Sequence, residues 1–121
     1  MSYTSHDWRV AITNLIRRTS KGEIKWERSE LYSGDPWTEV QRSFECKNGD
    51  KIYVVSSTKS KSWIDEDEFI WSQGYDFTIY ENGFDKLAIG SAPTDLNIIR
   101  SLFDAAEQSF SFQRRALDGL L

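Results

Sequence analysis

The sequence predicts an α+β fold: an antiparallel four- to five-stranded meander sheet covered by N- and C-terminal helices, a two-layer sandwich in a single domain over 1–121. Three observations carry this expectation. Near the start, Trp8, Ala11, Ile12, Leu15 and Ile16 follow the i, i+3, i+4, i+7, i+8 spacing of one buried helical stripe. In the middle the period becomes alternating, and Asn48-Gly49 stands between two alternating runs as a hairpin signal. Near the end, Leu96, Ile99, Phe103, Ala106 and Phe110 return to steps of three and four.

Each element has its own local signals. The first helix is expected from about Asp7 to Arg18, capped by Ser5 or Asp7, with Arg17 and Arg18 at the negative end of its dipole and Gly22 at the exit. Alternation over Glu23 to about Tyr32 reads as a first strand, and Ser33-Gly34-Asp35-Pro36 as a turn. A second strand runs from Trp37 or Thr38 to Cys46. A type I′ turn at Asn48-Gly49 leads to a third over Lys51 to about Thr58. Lys59 to Gly74 reads as an irregular connection. Tyr75–Tyr80 and Lys86–Ile89 follow as strands, joined through Asn82-Gly83 by either a two-residue turn or a longer loop, which the apolar register fits better. Thr94 is the expected N-cap of the last helix, with Asp95 in its first turn. Gln113 to Leu121 either continues that helix or turns back at Ser109–Ser111. Sequential strands joined by hairpins make a meander, whose apolar face the two striped helices would cover.

Composition narrows the field of functions. At 121 residues with 39% apolar and 28% charged residues, the chain is an ordinary globular domain with one core. Five Trp, five Tyr and seven Phe enrich it in rings, and Trp8 and Trp26 are assigned to the core. The net charge is −4 and no basic run exceeds two residues, so no nucleic acid is expected as a partner. No run of eighteen apolar residues spans a membrane, and the N-terminus lacks the pattern of a secretion signal. Cys46 is the only cysteine, which fits a reducing, cytoplasmic setting.

Candidate chemistry is sparse. His6 is the only histidine and lies in a segment expected to be flexible, so it lacks the fixed partners a nucleophilic site needs. Cys46 sits at a strand end with no helix N-terminus to activate it. Asp65, Glu66, Asp67 and Glu68 lack the glycine and the alternating ligands of a calcium loop and read as a solvated acidic turn. Glu23, Glu27, Glu39 and Glu45 read as the solvent face of a sheet rather than as paired catalytic carboxylates. No catalytic set, metal set or cofactor is expected.

The segment Thr19-Ser20-Lys21-Gly22-Glu23-Ile24-Lys25-Trp26, following an amphipathic helix, resembles the opening of a group of small uncharacterised bacterial α+β proteins, often products of phages and mobile islands. The Tyr75–Ile89 hairpin and the Leu96–Phe103 helix are similar too. The resemblance implies helix, meander and helix, and carries no activity or functional residues.

The most suggestive segment is Trp63, Asp65, Glu66, Asp67, Glu68, Trp71 and Tyr75, where rings flank a carboxylate cluster. Rings beside charge are common at binding hot spots. The plainer reading tucks Trp63, Phe69 and Trp71 into the edge of the core to pin a long connection. The functional expectation is a non-catalytic protein of immunity, inhibitor or adaptor type. It would bind another protein, and an acidic surface suits a basic target. Two other classes stand beside it. One is a small-molecule or nucleotide-binding module. The other is a structural subunit, with Ala116, Leu117, Leu120 and Leu121 as the seam of a homodimer.

Overall fold

The computed structural model describes residues 1–121. The chain runs α1 (Ser5–Ser20), β1 (Glu27–Arg28), β2 (Thr38–Asn48), β3 (Lys51–Trp63), β4 (Phe69–Glu81), β5 (Ala88–Ser91) and α2 (Ile98–Gln113). The five strands form one sheet in the order β1-β2-β3-β4-β5, every neighbour antiparallel, so the expected α+β meander is present. No helix is long and apolar enough to cross a membrane.

Helix α1 begins two residues earlier than the stripe alone predicts because Thr4, not Ser5 or Asp7, is its cap. The Thr4 hydroxyl accepts from the Asp7 N–H (3.1 Å) and the Asp7 carboxylate accepts from the Thr4 N–H (2.9 Å), a reciprocal capping box. These hydrogen bonds hold the Asp7 carboxyl below its ordinary pKa. Both helices lie on one face of the sheet. Ile12 and Leu15 of α1 meet Ile99, Leu102, Phe103 and Ala106 of α2 over Phe44, Val55 and Phe77. Phe44 touches Phe103 and Phe110, and Tyr75 touches Phe103, with ring centroids 5.3 to 5.6 Å apart.

Trp26 is fully buried in this core, as expected, and its indole N–H donates to the Thr19 hydroxyl at 2.9 Å. Thr19 in turn donates to the Leu15 carbonyl at 2.7 Å. Thr19→Val keeps the shape and leaves the buried indole N–H unpaired. It is expected to lower stability by about 1–3 kcal/mol, read as a reduced urea midpoint. Trp8 is half-buried and packs edge-on against Phe77, so its placement beside the core also agrees.

Three local expectations need correction, and one open alternative is resolved in favour of the longer loop. The strand expected over Glu23–Tyr32 shrinks to Glu27–Arg28. Ile24 and Trp26 dive into the helix-side core, whereas Leu31 and Tyr32 pack on Ile52, Val54 and Tyr80 of the opposite face. A segment that serves both faces must wrap the sheet edge, which ends its pairing. Asn48 pairs with Lys51, so the central turn residues are Gly49 and Asp50, with positive φ at Gly49 only. That is the type II′ pattern rather than I′. The β4–β5 connection is the longer loop, closed by the Glu81 N–H donating to the Leu87 carbonyl at 2.9 Å. Finally, Thr94 and Asp95 precede α2 without capping it. Asn97 holds that position with no side-chain hydrogen bond, and the first turn is free of acids.

Beyond Gln113 the tail is a series of turns. Arg115 and Gly119 adopt positive φ, and the Ala116 N–H donates back to the Ser111 carbonyl. Leu117, Leu120 and Leu121 stand in solvent.

Candidate functional site

The lengths of the elements create the most distinctive surface. Each helix has 16 residues and so measures about 24 Å at ~1.5 Å per residue. Strands β3 and β4 have 13 residues each, about 43 Å at ~3.3 Å per residue. The central hairpin therefore outruns the helical layer. Its distal part, from Lys59 to Gly74, projects as a two-stranded arm that meets β2 and the residue before it at its root: Thr38 pairs with Ser60 and Glu39 with Lys59, the Trp37 carbonyl accepts from the Lys61 N–H, and the Gln73 amide donates to Gln41 Oε1. This replaces the irregular connection expected from the sequence.

Alternation sorts the arm into two faces. Trp63 pairs with Phe69, Lys61 with Trp71 and Lys59 with Gln73, continuing the rows of Val55 and Phe77 that the helices cover farther in. Ser60, Ser62, Ile70 and Ser72 turn the other way, and the Ser62 and Ser72 hydroxyls bond at 3.1 Å. On the first face the rings make a ridge: Trp63 to Phe69 at 5.2 Å and Phe69 to Trp71 at 5.7 Å, the latter edge-on. The Lys59 ammonium lies 4.4 Å from the Trp71 ring and the Lys61 ammonium 4.6 Å from that of Phe69. Cross-strand ring pairs and cation–π contacts of this kind contribute roughly 0.2–1 kcal/mol each. They give stiffness to a hairpin that would be marginal alone.

The rings are not core anchors. Trp63, Phe69 and Trp71 remain 52%, 39% and 43% exposed, which overturns the plainer sequence reading. Tyr75 separates from them, half-buried against Phe103 where α2 begins to cover the sheet. The four acids form the tip of the arm. The Asp65 carboxylate accepts from the N–H groups of Asp67 (2.9 Å) and Glu68 (3.0 Å), and the Ile64 N–H donates to the Glu68 carbonyl at 2.9 Å. Asp65 thus shapes the turn, while Glu66, Asp67 and Glu68 face water.

Sequence reasoning missed Lys59 and Lys61 as parts of this surface. The signal was there in Lys-Ser-Lys-Ser-Trp, a strand alternation written in two polar residue types. The arm consequently segregates its charge, with cations over the ridge and carboxylates at the tip.

The other candidates fall apart spatially. His6 belongs to the first turn of α1 rather than to a flexible lead-in. Glu27 stands opposite Glu45, Glu23 pairs with Arg18 at 3.7 Å, and Glu39 stands opposite Lys59 at the root of the arm. No three His, Cys, Asp or Glu side chains converge as metal ligands.

Cys46 is buried, and burial pushes its thiol from 9.0 up to about 12. The native protein is expected to resist iodoacetamide at pH 8 and to react once unfolded. The fold disfavours the thiolate, so the stabilisation is complete below pH 9 and is lost as pH rises from there through about 12.

On the face away from the helices, Tyr32 crosses the sheet and donates to the Asp76 carboxylate at 2.7 Å. Burial, then this bond, raises the Tyr32 phenol pKa. Between this crossing segment and the arm lies an open groove of about 360 Å³, lined by Thr38, Thr58, Ser60, Asp35 and Asp76 among others.

Comparison of the chain with protein families, with curated proteins and with solved structures finds no match. The helix–meander–helix order agrees with the pattern of the bacterial group the sequence resembles, and the likeness extends no further.

Proposed function

We propose that this protein is a non-catalytic binding module that engages another protein through the Lys59–Gly74 arm. One observation carries the reading: a ridge of three large rings stands in water on an extension that the core does not need. Isolated exposed rings are ordinary, but contiguous ones on a stiffened projection are a feature of contact surfaces. Rings offer large contact area at little entropic cost, which is why Trp and Tyr are enriched at hot spots. The charge pattern adds register. A partner surface would set hydrogen-bond acceptors or carboxylates against Lys59 and Lys61, and basic groups against the Asp65–Glu68 tip. An immunity, inhibitor or adaptor role fits such a module, and a basic target fits its tip.

The test is affinity capture from a lysate of the source cell with the wild-type chain beside Trp63→Ala/Trp71→Ala. One stoichiometric protein retained by the wild type and lost by the folded variant is the expected result. The same protein retained by both would remove the arm from the interface.

A second reading, small-molecule binding, is favoured by the hydroxyl-lined groove beside Tyr32 and Asp76. A specific ligand there would raise the melting temperature by mass action, and Thr58→Val would reduce that rise.

A further inference from the structure

The bare edge of β4 is a second feature of the arm, independent of its ringed face. The Ile64 N–H bond to the Glu68 carbonyl sets even-numbered positions of β4 towards β3. The Phe77 carbonyl accepts from Ala92, and the Glu81 N–H donates to Leu87, so odd-numbered positions point the other way. By that alternation Phe69, Trp71, Gln73 and Tyr75 direct their N–H and C=O groups outward, and no backbone hydrogen bond from another part of the chain reaches them. Strand β5 pairs only with Thr78–Tyr80, and the chain leaves the sheet at Pro93, which has no N–H to extend the pairing.

Such an edge templates the addition of a strand unless it is blunted by Lys, Pro, a bulge or a cover. The opposite margin of the sheet is blunted, by the short β1 and the bulge between Val40 and Arg42. The exposed run Phe69-Ile70-Trp71-Ser72-Gln73 carries none of these devices.

We infer that two copies of this chain pair antiparallel along this edge, about a two-fold axis at Trp71. An isologous contact needs a surface that complements itself, and this one does. With Trp71 facing Trp71 of the second copy, Phe69 faces Gln73 and Gln73 faces Phe69, each as a hydrogen-bonded pair. Such pairs exchange two bonds each, about six in all. The seam carries no charge of its own from Phe69 to Gln73, so the exchanged pairs set no like charges opposite each other. In this register the acids of each tip lie beyond the seam, opposite Gly74 to Phe77 of the other copy, and Lys59 and Lys61 lie one strand farther back, on β3. The two ringed ridges then lie side by side on the same face and stay open to a partner, so this inference does not rest on the binding role proposed above.

The test is sedimentation of the full chain over a range of concentrations, with three variants. Gln73→Pro removes an outward N–H and leaves the β3 ladder intact. Trp71→Cys places two thiols across the axis at a spacing a disulfide accepts, about 5.5 Å between Cα atoms, while the buried Cys46 stays silent. Leu120→Ser/Leu121→Ser removes the exposed tail leucines. The expected results are a dimeric wild type that holds as salt rises, a monomeric Gln73→Pro of unchanged circular dichroism, a Trp71→Cys dimer that cross-links on mild oxidation, and an undisturbed dimer for the tail variant. A wild type monomeric at every concentration overturns the inference. So does a dimer that Gln73→Pro leaves intact, or that only the tail variant dissolves. If Gln73→Pro fails to fold, absence of the Trp71→Cys cross-link in a dimeric sample overturns it alone. A monomer that still captures a protein through Trp63 and Trp71 rejects the pairing and keeps the binding role. A dimer that captures nothing does the reverse.

Discussion

Replacing Trp63 and Trp71 together by alanine is expected to weaken binding of the captured protein by about 100- to 1,000-fold while leaving the unfolding midpoint almost unchanged. The size follows from hot-spot energetics, in which a buried aromatic anchor costs ~2 kcal/mol or more on truncation and each ~1.4 kcal/mol is a factor of ten. The neutrality towards folding follows from position. Neither ring belongs to the clusters that hold the sheet to the helices, and exposed residues of this kind usually shift stability by less than about 0.5 kcal/mol. The rings also brace each other through Phe69, so part of the loss comes from a slacker arm. Trp71→Phe separates the two contributions. It keeps an aromatic partner for Phe69 and Lys59, and should recover much of the arm's order but not the contact area of an indole. Surface plasmon resonance against the purified partner, with circular dichroism on each variant, reads both quantities.

Trp26→Ala should have the opposite profile, a large loss of stability with no direct effect on the arm. Trp26 is fully buried, joins Thr19 by a hydrogen bond and sits where the end of α1 returns to the sheet. Truncating a buried Trp costs about 3–5 kcal/mol, and leaves the Thr19 hydroxyl without its donor. Domains of this size have ~5–15 kcal/mol in hand, so the variant is expected to be partly unfolded at 37 °C. Trp26→Phe fills most of the space and loses only the N–H, so its urea midpoint should lie between those of the wild type and Trp26→Ala. A midpoint for Trp26→Ala equal to the wild type would mean that the indole is not in the core.

What was legible in the sequence had local causes. The stripe from Trp8 to Ile16 and the one from Leu96 to Phe110 each bury one side of a helix, and the helical period writes that directly into residue order. Gly49 marked its hairpin because a tight turn needs positive φ there, although which two residues occupy the turn depended on the pairing of Asn48 with Lys51. The failures had non-local causes. Glu23–Tyr32 alternates like a strand, but its apolar residues belong to opposite faces of the sheet, and no window of sequence reveals which face a side chain will meet. The arm escaped because Lys59 to Ser62 alternates between two polar types, which a hydropathy pattern cannot distinguish from a loop. Whether its rings were buried depended on a comparison the sequence does not display, the reach of two long strands against the reach of two shorter helices. The candidate site was therefore half legible: Trp63, Trp71 and the four acids were singled out, Lys59 and Lys61 were not, and Tyr75 was grouped with a ridge from which the fold separates it.

The arm's role as the contact surface is tested most directly by hydroxyl-radical footprinting of the wild-type chain, free and bound to the captured protein. Trp63, Phe69 and Trp71 should be oxidised readily when free and strongly protected when bound, with Phe84, fully exposed in the β4–β5 loop, labelled equally in both. Equal labelling of the three ridge residues in the free and bound states would contradict the arm as the binding surface.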